Sequence, residues 1–210
     1  MRKLVYGVGI NDADYAITEN IVVDGKNIQM WICPFYRRWK SMLGRCYGQK
    51  PLSKNPSYNG CYVLPQWHYF MTFRSWMEKQ DWQGKELDKD LLVPGNKIYG
   101  PESCVFISQG LNKFLTEVKP SISRYPVGVT FKKRLNKFQA QCHDIIQDKN
   151  QYLGLYETAQ EAHQAWLSFK LEQAKILAGQ QSDPRVAEAL ISRYKNYQSL
   201  DREANLAYNG

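Results

Sequence analysis

The chain has 210 residues, 43% hydrophobic and 23% charged, with a formal net charge of +8. That is enough apolar material for one large domain or two small ones, and length alone does not choose. The positive balance puts polyanions first among partners, nucleic acid above all, with an acidic protein or a membrane surface as alternatives.

No apolar run reaches the roughly 18 residues a membrane-spanning helix needs, so no membrane span is expected. The apolar stretch after Met1-Arg2-Lys3 is broken by Asn11, Asp12 and Asp14, unlike a signal peptide. Five scattered cysteines without a C-x-x-C pair argue against a disulfide framework or a zinc ribbon, so no zinc is expected. The expected location is a reducing cytoplasm.

In chain order, Ile21–Val23 and Ile28–Ile32 flank Asp24-Gly25, a hairpin turn signal within a β-rich lead-in over residues 1–35. From Phe35 the pattern turns helical, with Tyr36, Trp39, Met42 and Leu43 at three- and four-residue steps. Gly48–Gly60 is polar and reads as a loop. Pro65 then stands where a helix starts, and Trp67, Phe70, Phe73 and Trp76-Met77 follow as an aromatic stripe suited to a core rather than to base stacking. The stretch Leu87–Asn112 reads as strand, Gly/Pro-rich loop, short apolar strand Cys104–Ile107, then helix.

Lys119–Pro126, with two prolines and two serines, sets the expected domain boundary. Three strand candidates follow, Val127–Phe131, Phe138–His143 and Gln151–Leu155. Thr158-Ala-Gln-Glu161 is a capping box opening a helix that puts Ala162, Ala165, Trp166 and Phe169 on one face. Asp183-Pro184 marks a last helix start. Three regions are therefore expected: 1–118, 119–178 and a helical extension over 179–210.

Period-two alternation turns Phe138, Ala140 and Cys142 toward the helix and Gln139, Gln141 and His143 away from it. Lys132, Lys133, Arg134 and Lys137 gather at the adjoining turn, and Tyr152 lies on the third strand. From Lys119 to Asn150 there are seven Lys or Arg against two Asp. Cations at a sheet margin suit phosphates, and amide side chains can pair with adenine edges. A solvated polar face, with His143 an ordinary surface histidine, is the alternative.

The order GVTFKKRLNKFQAQCHD, then QYLGLYETAQEAHQAW, resembles the Apetala/ethylene-response-factor type of DNA-binding domain over roughly Tyr125–Lys170. The resemblance implies a three-stranded sheet in the major groove of double-stranded DNA. Thr130, Lys132, Gln141, His143 and Tyr152 would be the contacting positions. Val127, Thr130 and Gln141 stand where that family has arginine, arginine and glutamate.

W-x-x-M-x-x-R-C-Y (Trp39–Tyr47), the tryptophan-rich Tyr58–Trp76 and LDKD…GNKIYGPESCVFI…LN resemble phage-encoded HNH proteins of the homing-endonuclease kind over roughly Tyr36–Leu115. That implies a ββα-metal unit working in the host cytoplasm. Asp88 and Asn112 would hold Mg2+ or Mn2+, Lys89 would occupy the slot of the histidine base, and Ser103 would stand where an asparagine braces the loop. An ordinary lysine, with a pKa near 10.4, is a poor base at neutral pH. Asp90, on the same strand face as Asp88, offers a second carboxylate.

The expectation is an α+β chain: a degenerate HNH-like module, a three-stranded antiparallel sheet packed on one helix, and a C-terminal helix that could meet a protein partner. Function divides between a metal-dependent DNA nickase or endonuclease and a non-catalytic DNA-binding regulator or host-factor antagonist. A weaker third reading is a module that meets an acidic protein.

Overall fold

In the computed structural model, the described residues are 3–49, 58–116 and 124–208, with 197–208 described by backbone alone. The fold is mixed α+β, with five α-helices and several small sheets among the described residues. The chain divides into two compact units, residues 1–107 and 108–210. The boundary expected at residues 118/119 lies outside the described residues. The division after Ile107 groups the helix carrying Asn112, and the C-terminal helix, with the second unit.

In the first unit, strands β1 (Thr18–Val23) and β2 (Lys26–Ile32) form an antiparallel hairpin. Its turn is Asp24-Gly25, at φ +50° and +73°. Two successive positive φ values match the twist of a two-residue hairpin, which is why Asp-Gly stands there. Helix α1 (Pro34–Tyr47) has proline in its first turn and buries Tyr36, Trp39, Met42, Leu43 and Cys46 along one stripe.

The helix expected from Pro65 is instead two pieces. Pro65–His68 is a 3-10 turn, Tyr69 is extended at φ −87°, ψ 123°, and α2 runs Phe70–Met77. The cause is remote in sequence. Ile10 forms a parallel bridge with Tyr69: its N–H donates to the His68 carbonyl at 2.8 Å, and its own carbonyl accepts from Phe70 at 3.0 Å. Those backbone groups cannot also sustain a helix.

The aromatic stripe is nonetheless core. Trp67, Phe70, Phe73 and Met77 are buried, and the Trp39 indole N–H donates to the Trp67 carbonyl at 2.7 Å. Strand β3 (Tyr62–Val63) pairs in parallel with β5 (Ile98–Tyr99), and β4 (Lys85–Asp88) pairs with β6 (Val105–Ser108). The expected order of strand, loop, strand and helix around Asp88 is thus observed.

The second unit begins with α3 (Gln109–Thr116), whose first turn is held by the Ser108 hydroxyl accepting from the Leu111 N–H at 3.1 Å. Strands β7 (Val129–Lys132), β8 (Lys137–Asp144) and β9 (Lys149–Tyr156) make an antiparallel sheet in the order β7-β8-β9. Helix α4 (Ala159–Ala178) opens with both halves of the capping box, each a 3.1 Å hydrogen bond between Thr158 and Glu161.

Ala162 of α4 packs with Val129 and Ala140 of the sheet. A second stripe, Leu167, Leu171, Ala174 and Ala178, is also buried, so α4 has apolar neighbours on more than one side. Helix α5 (Pro184–Tyr208) packs on α4, burying Val186, Leu190 and Tyr194, and the Tyr194 ring lies 5.4 Å from Phe114 of α3. That stretch of α5, a helix that could meet a protein partner, packs within its own unit.

Candidate nucleic-acid interface

The geometry of the second unit's sheet decides which side chains share its outer face. Cross-strand partners point the same way, and the pairs Lys132/Lys137, Thr130/Gln139, Gln141/Tyr152 and His143/Asn150 alternate with the inward pairs Phe131/Phe138 and Val129/Ala140. All six predicted strand positions, Thr130, Lys132, Gln139, Gln141, His143 and Tyr152, therefore fall on the face turned away from α4, with Lys137 beside them. Tyr152 is 55% exposed, which leaves its ring available.

The register shifts between Ala140 and Gln141, where β9 carries one extra residue, Leu153. Such a bulge reverses the parity beyond it. Leu153 packs into the core and Leu155 pairs with Gln139 on the outer face, 37% exposed. Sequence alternation from Tyr152 would have put Gly154 there. Asn150 is the other residue missed, because the strand begins at Lys149, two residues earlier than its composition suggests.

The cationic margin is local in the chain. Lys133–Leu135 form a 3-10 turn closed by Asn136 in the left-handed region at φ 51°, ψ 39°, and Lys133 and Arg134 are exposed. Lys132 and Lys137 stand directly opposite each other on the flanking strands. Like charges in that position cost stability. A Glu157 carboxylate 2.8 Å from Lys137 Nζ offsets part of the cost and raises that ammonium's pKa, so it stays charged. The amides are ordered too: Gln139 Nε2 donates to Gln141 Oε1 at 3.0 Å. His143 Nε2 lies 3.3 Å from Asp148 Oδ1.

The residues expected to hold metal divide between the units, Asp88 in the first and Asn112 on α3 in the second. Strand β4 ends at Asp88, and the chain turns there. Asp88 Oδ1 accepts the N–H of Asp90 at 2.9 Å and of Leu91 at 2.7 Å. The extended Asp88-to-Asp90 face expected from the sequence is replaced by this turn. Burial, then the charge of Asp90, push the Asp88 carboxyl above its ordinary pKa, against a smaller lowering by the two N–H donors and Lys89.

Lys89 is buried at 6% exposure, its Nζ donating to the Asn96 carbonyl at 2.8 Å and to Asp90 Oδ2 at 3.3 Å. Asn96 returns the contact, its amide donating to the carbonyls of Lys89 at 2.6 Å and Ile98 at 2.7 Å. Asn96 thus braces the 89–98 loop, a role sequence reasoning did not give it; its place after Pro94-Gly95, where an amide can bond nearby backbone, was the available signal. Ser103, expected to brace the loop, donates from its hydroxyl to the Ile98 carbonyl at 2.9 Å.

Hydrogen bonds within the 88–91 turn compete with a divalent ion for the Asp88 carboxylate. Magnesium takes hard oxygen ligands, but one Asp88 oxygen already holds two N–H groups and an ammonium sits beside Asp90. Among the described residues no three His, Cys, Asp or Glu side chains come together as a metal site. Cys33, Cys46, Cys61, Cys104 and Cys142 are buried thiols outside any disulfide, with Cys46 and Cys104 pushed up to about 12 chiefly by burial.

No helix among the described residues is long and apolar enough to cross a membrane. Compared with known proteins, the chain matches no family model, and no curated protein or solved structure is similar to it at a significant level.

Proposed function

We propose that this chain is a DNA-binding protein that lays the outer face of β7-β8-β9 against duplex DNA. The observation that carries this reading is the in-register face: Thr130/Gln139, Gln141/Tyr152 and His143/Asn150, with Lys132 opposite Lys137 at its margin. The cations hold phosphates and fix the register of the protein on the duplex, while the hydroxyl, amides and phenol reach base edges. A strand pair is narrow enough for the major groove.

The test is fluorescence anisotropy of a labelled 30-bp duplex across a salt series. Binding is expected to weaken steeply with salt, and Lys132→Ala, Lys133→Ala and Arg134→Ala each to flatten the log–log slope by about 1. No binding at low salt, or an unchanged slope in the triple variant, would sink the proposal and turn attention to an acidic protein partner.

A second reading, metal-dependent nicking, is favoured by the strand, loop, strand and helix order around Asp88 and disfavoured by its donor set. Supercoiled plasmid incubated with magnesium or manganese, beside an EDTA control, is expected to stay supercoiled. Metal-dependent nicking lost in Asp88→Asn would establish the enzyme instead.

A further inference from the structure

The outer face of the sheet does not end flat. Strand β7 stops pairing at Val129/Ala140, while β8 and β9 continue to Asp144/Lys149, so one corner of the sheet lacks its third strand. The chain before β7 covers part of the gap, with the Gln141 N–H donating to the Gly128 carbonyl at 2.9 Å. What is left is a cavity of about 370 Å³, within the roughly 300–1,000 Å³ at which small-molecule sites occur.

Its lining combines two chemistries. Thr130, Gln141, His143 and Asn150 bring a hydroxyl, two amides and an imidazole from the outer face, while Trp166 and Lys170 of α4 line the inner side. Trp166 is held firmly: the His163 ring stacks on it at 5.5 Å and 11°, and His163 Nδ1 is 2.8 Å from the Val127 carbonyl. Lys170 is buried at 1% exposure, its Nζ 4.1 Å from the Phe114 ring centroid and 5.8 Å from that of Trp166.

A hydroxyl, an imidazole and amides that both donate and accept suit the polar edge of a flat heteroaromatic ring, while Trp166, 3% exposed, and Lys170 close the floor beneath. A phosphate alone would leave the amide acceptors unused. The cavity shares Thr130, Gln141 and His143 with the face assigned to DNA, so a duplex docked there carries bases past its mouth.

We propose that this corner cavity receives a single nucleobase turned out of the DNA stack. The proposal rests on the DNA-binding reading and adds to it. Extruding a base costs a few kcal/mol in a perfect duplex and least where the base is already unpaired. The protein should therefore prefer DNA that presents a loose base.

Two 30-bp duplexes test this, one with 2-aminopurine paired to thymine and one with a single bulged 2-aminopurine. The expected result is tighter binding of the bulged duplex, by about tenfold, together with a change in 2-aminopurine emission as the base leaves its neighbours. Val127→Phe, which puts a ring into the cavity from its rim, should abolish both the preference and the emission change. Its affinity for the fully paired duplex should change less than about threefold, and its circular dichroism should match the parent.

Equal affinity for both duplexes with unchanged emission overturns the pocket and leaves the DNA-binding reading standing. So does a preference that survives in Val127→Phe with its fold intact. If that variant does not fold, Val127→Met, a smaller intrusion from the same rim, takes its place with the same expectations. Failure to bind either duplex at low salt overturns both proposals together.

Discussion

Asp88 is pulled two ways. Its turn needs an acceptor at Oδ1 for two N–H groups, yet burial and the nearby Asp90 charge disfavour the ionised form. Because its folded pKa lies above the unfolded value, the folded state holds the proton longer. That contribution is favourable at pH below about 4, where both states are protonated or nearly so, and is lost as pH rises through the raised folded value. Asp88→Asn keeps the acceptor and removes the charge, so it should stabilise the protein at pH 7 and leave it nearly unchanged at pH 4 in urea titrations. Asp88→Ala also loses the acceptor and should cost about 1–2 kcal/mol at pH 4, and less at pH 7, where the buried charge is removed with it. Lys89→Met should cost about 1–3 kcal/mol, because the Asn96 carbonyl loses its donor. The sequence showed Asp88, Lys89 and Asp90 as a charged group beside a turn-rich loop. It could not show that their hydrogen bonds are spent on each other and on Asn96, since that depends on how the loop closes after β4.

Elements whose signals are local were legible, and those decided by distant residues were not. Asp24-Gly25 and the Thr158/Glu161 box act within four residues, and both stand as expected. Thr158→Ala should cost about 1 kcal/mol, read as a lowered urea midpoint. The split at Tyr69 was hidden because Ile10, far away in the chain, takes the backbone groups on either side of it. The bulge at Leu153 was hidden for a similar reason, since parity along β9 is set by pairing with β8 rather than by β9 itself. Gly128 is a third case. Its φ is +81°, and a Cβ there would lie 2.1 Å from Trp166 Cδ1, so Gly128→Ala meets both backbone strain and a rigid indole. A loss of about 2–4 kcal/mol is expected, visible by thermal denaturation.

At the scale of the molecule, the charge of +8 says less than where cations stand. Four of them, Lys132, Lys133, Arg134 and Lys137, surround one turn of the second unit. If all four meet phosphates, the slope of log affinity against log salt should be about −3 to −4, a value the anisotropy series reads directly. The composition announced a polyanion partner, but the division after Ile107 could not be read from it, because the prolines that draw the eye come later in the chain.

The buried thiols give that division a use. Cys33, Cys46, Cys61 and Cys104 lie in the first unit and Cys142 in the second, all buried thiols outside any disulfide. A folded molecule should resist alkylation, and each thiol should react only when its surroundings open. Brief pulses of iodoacetamide in increasing urea, followed by peptide mass spectrometry, turn the cysteines into two clocks, four hands on one and a single hand on the other. Matching times would mean that the protein comes apart as one body, and differing times would name the half that yields first.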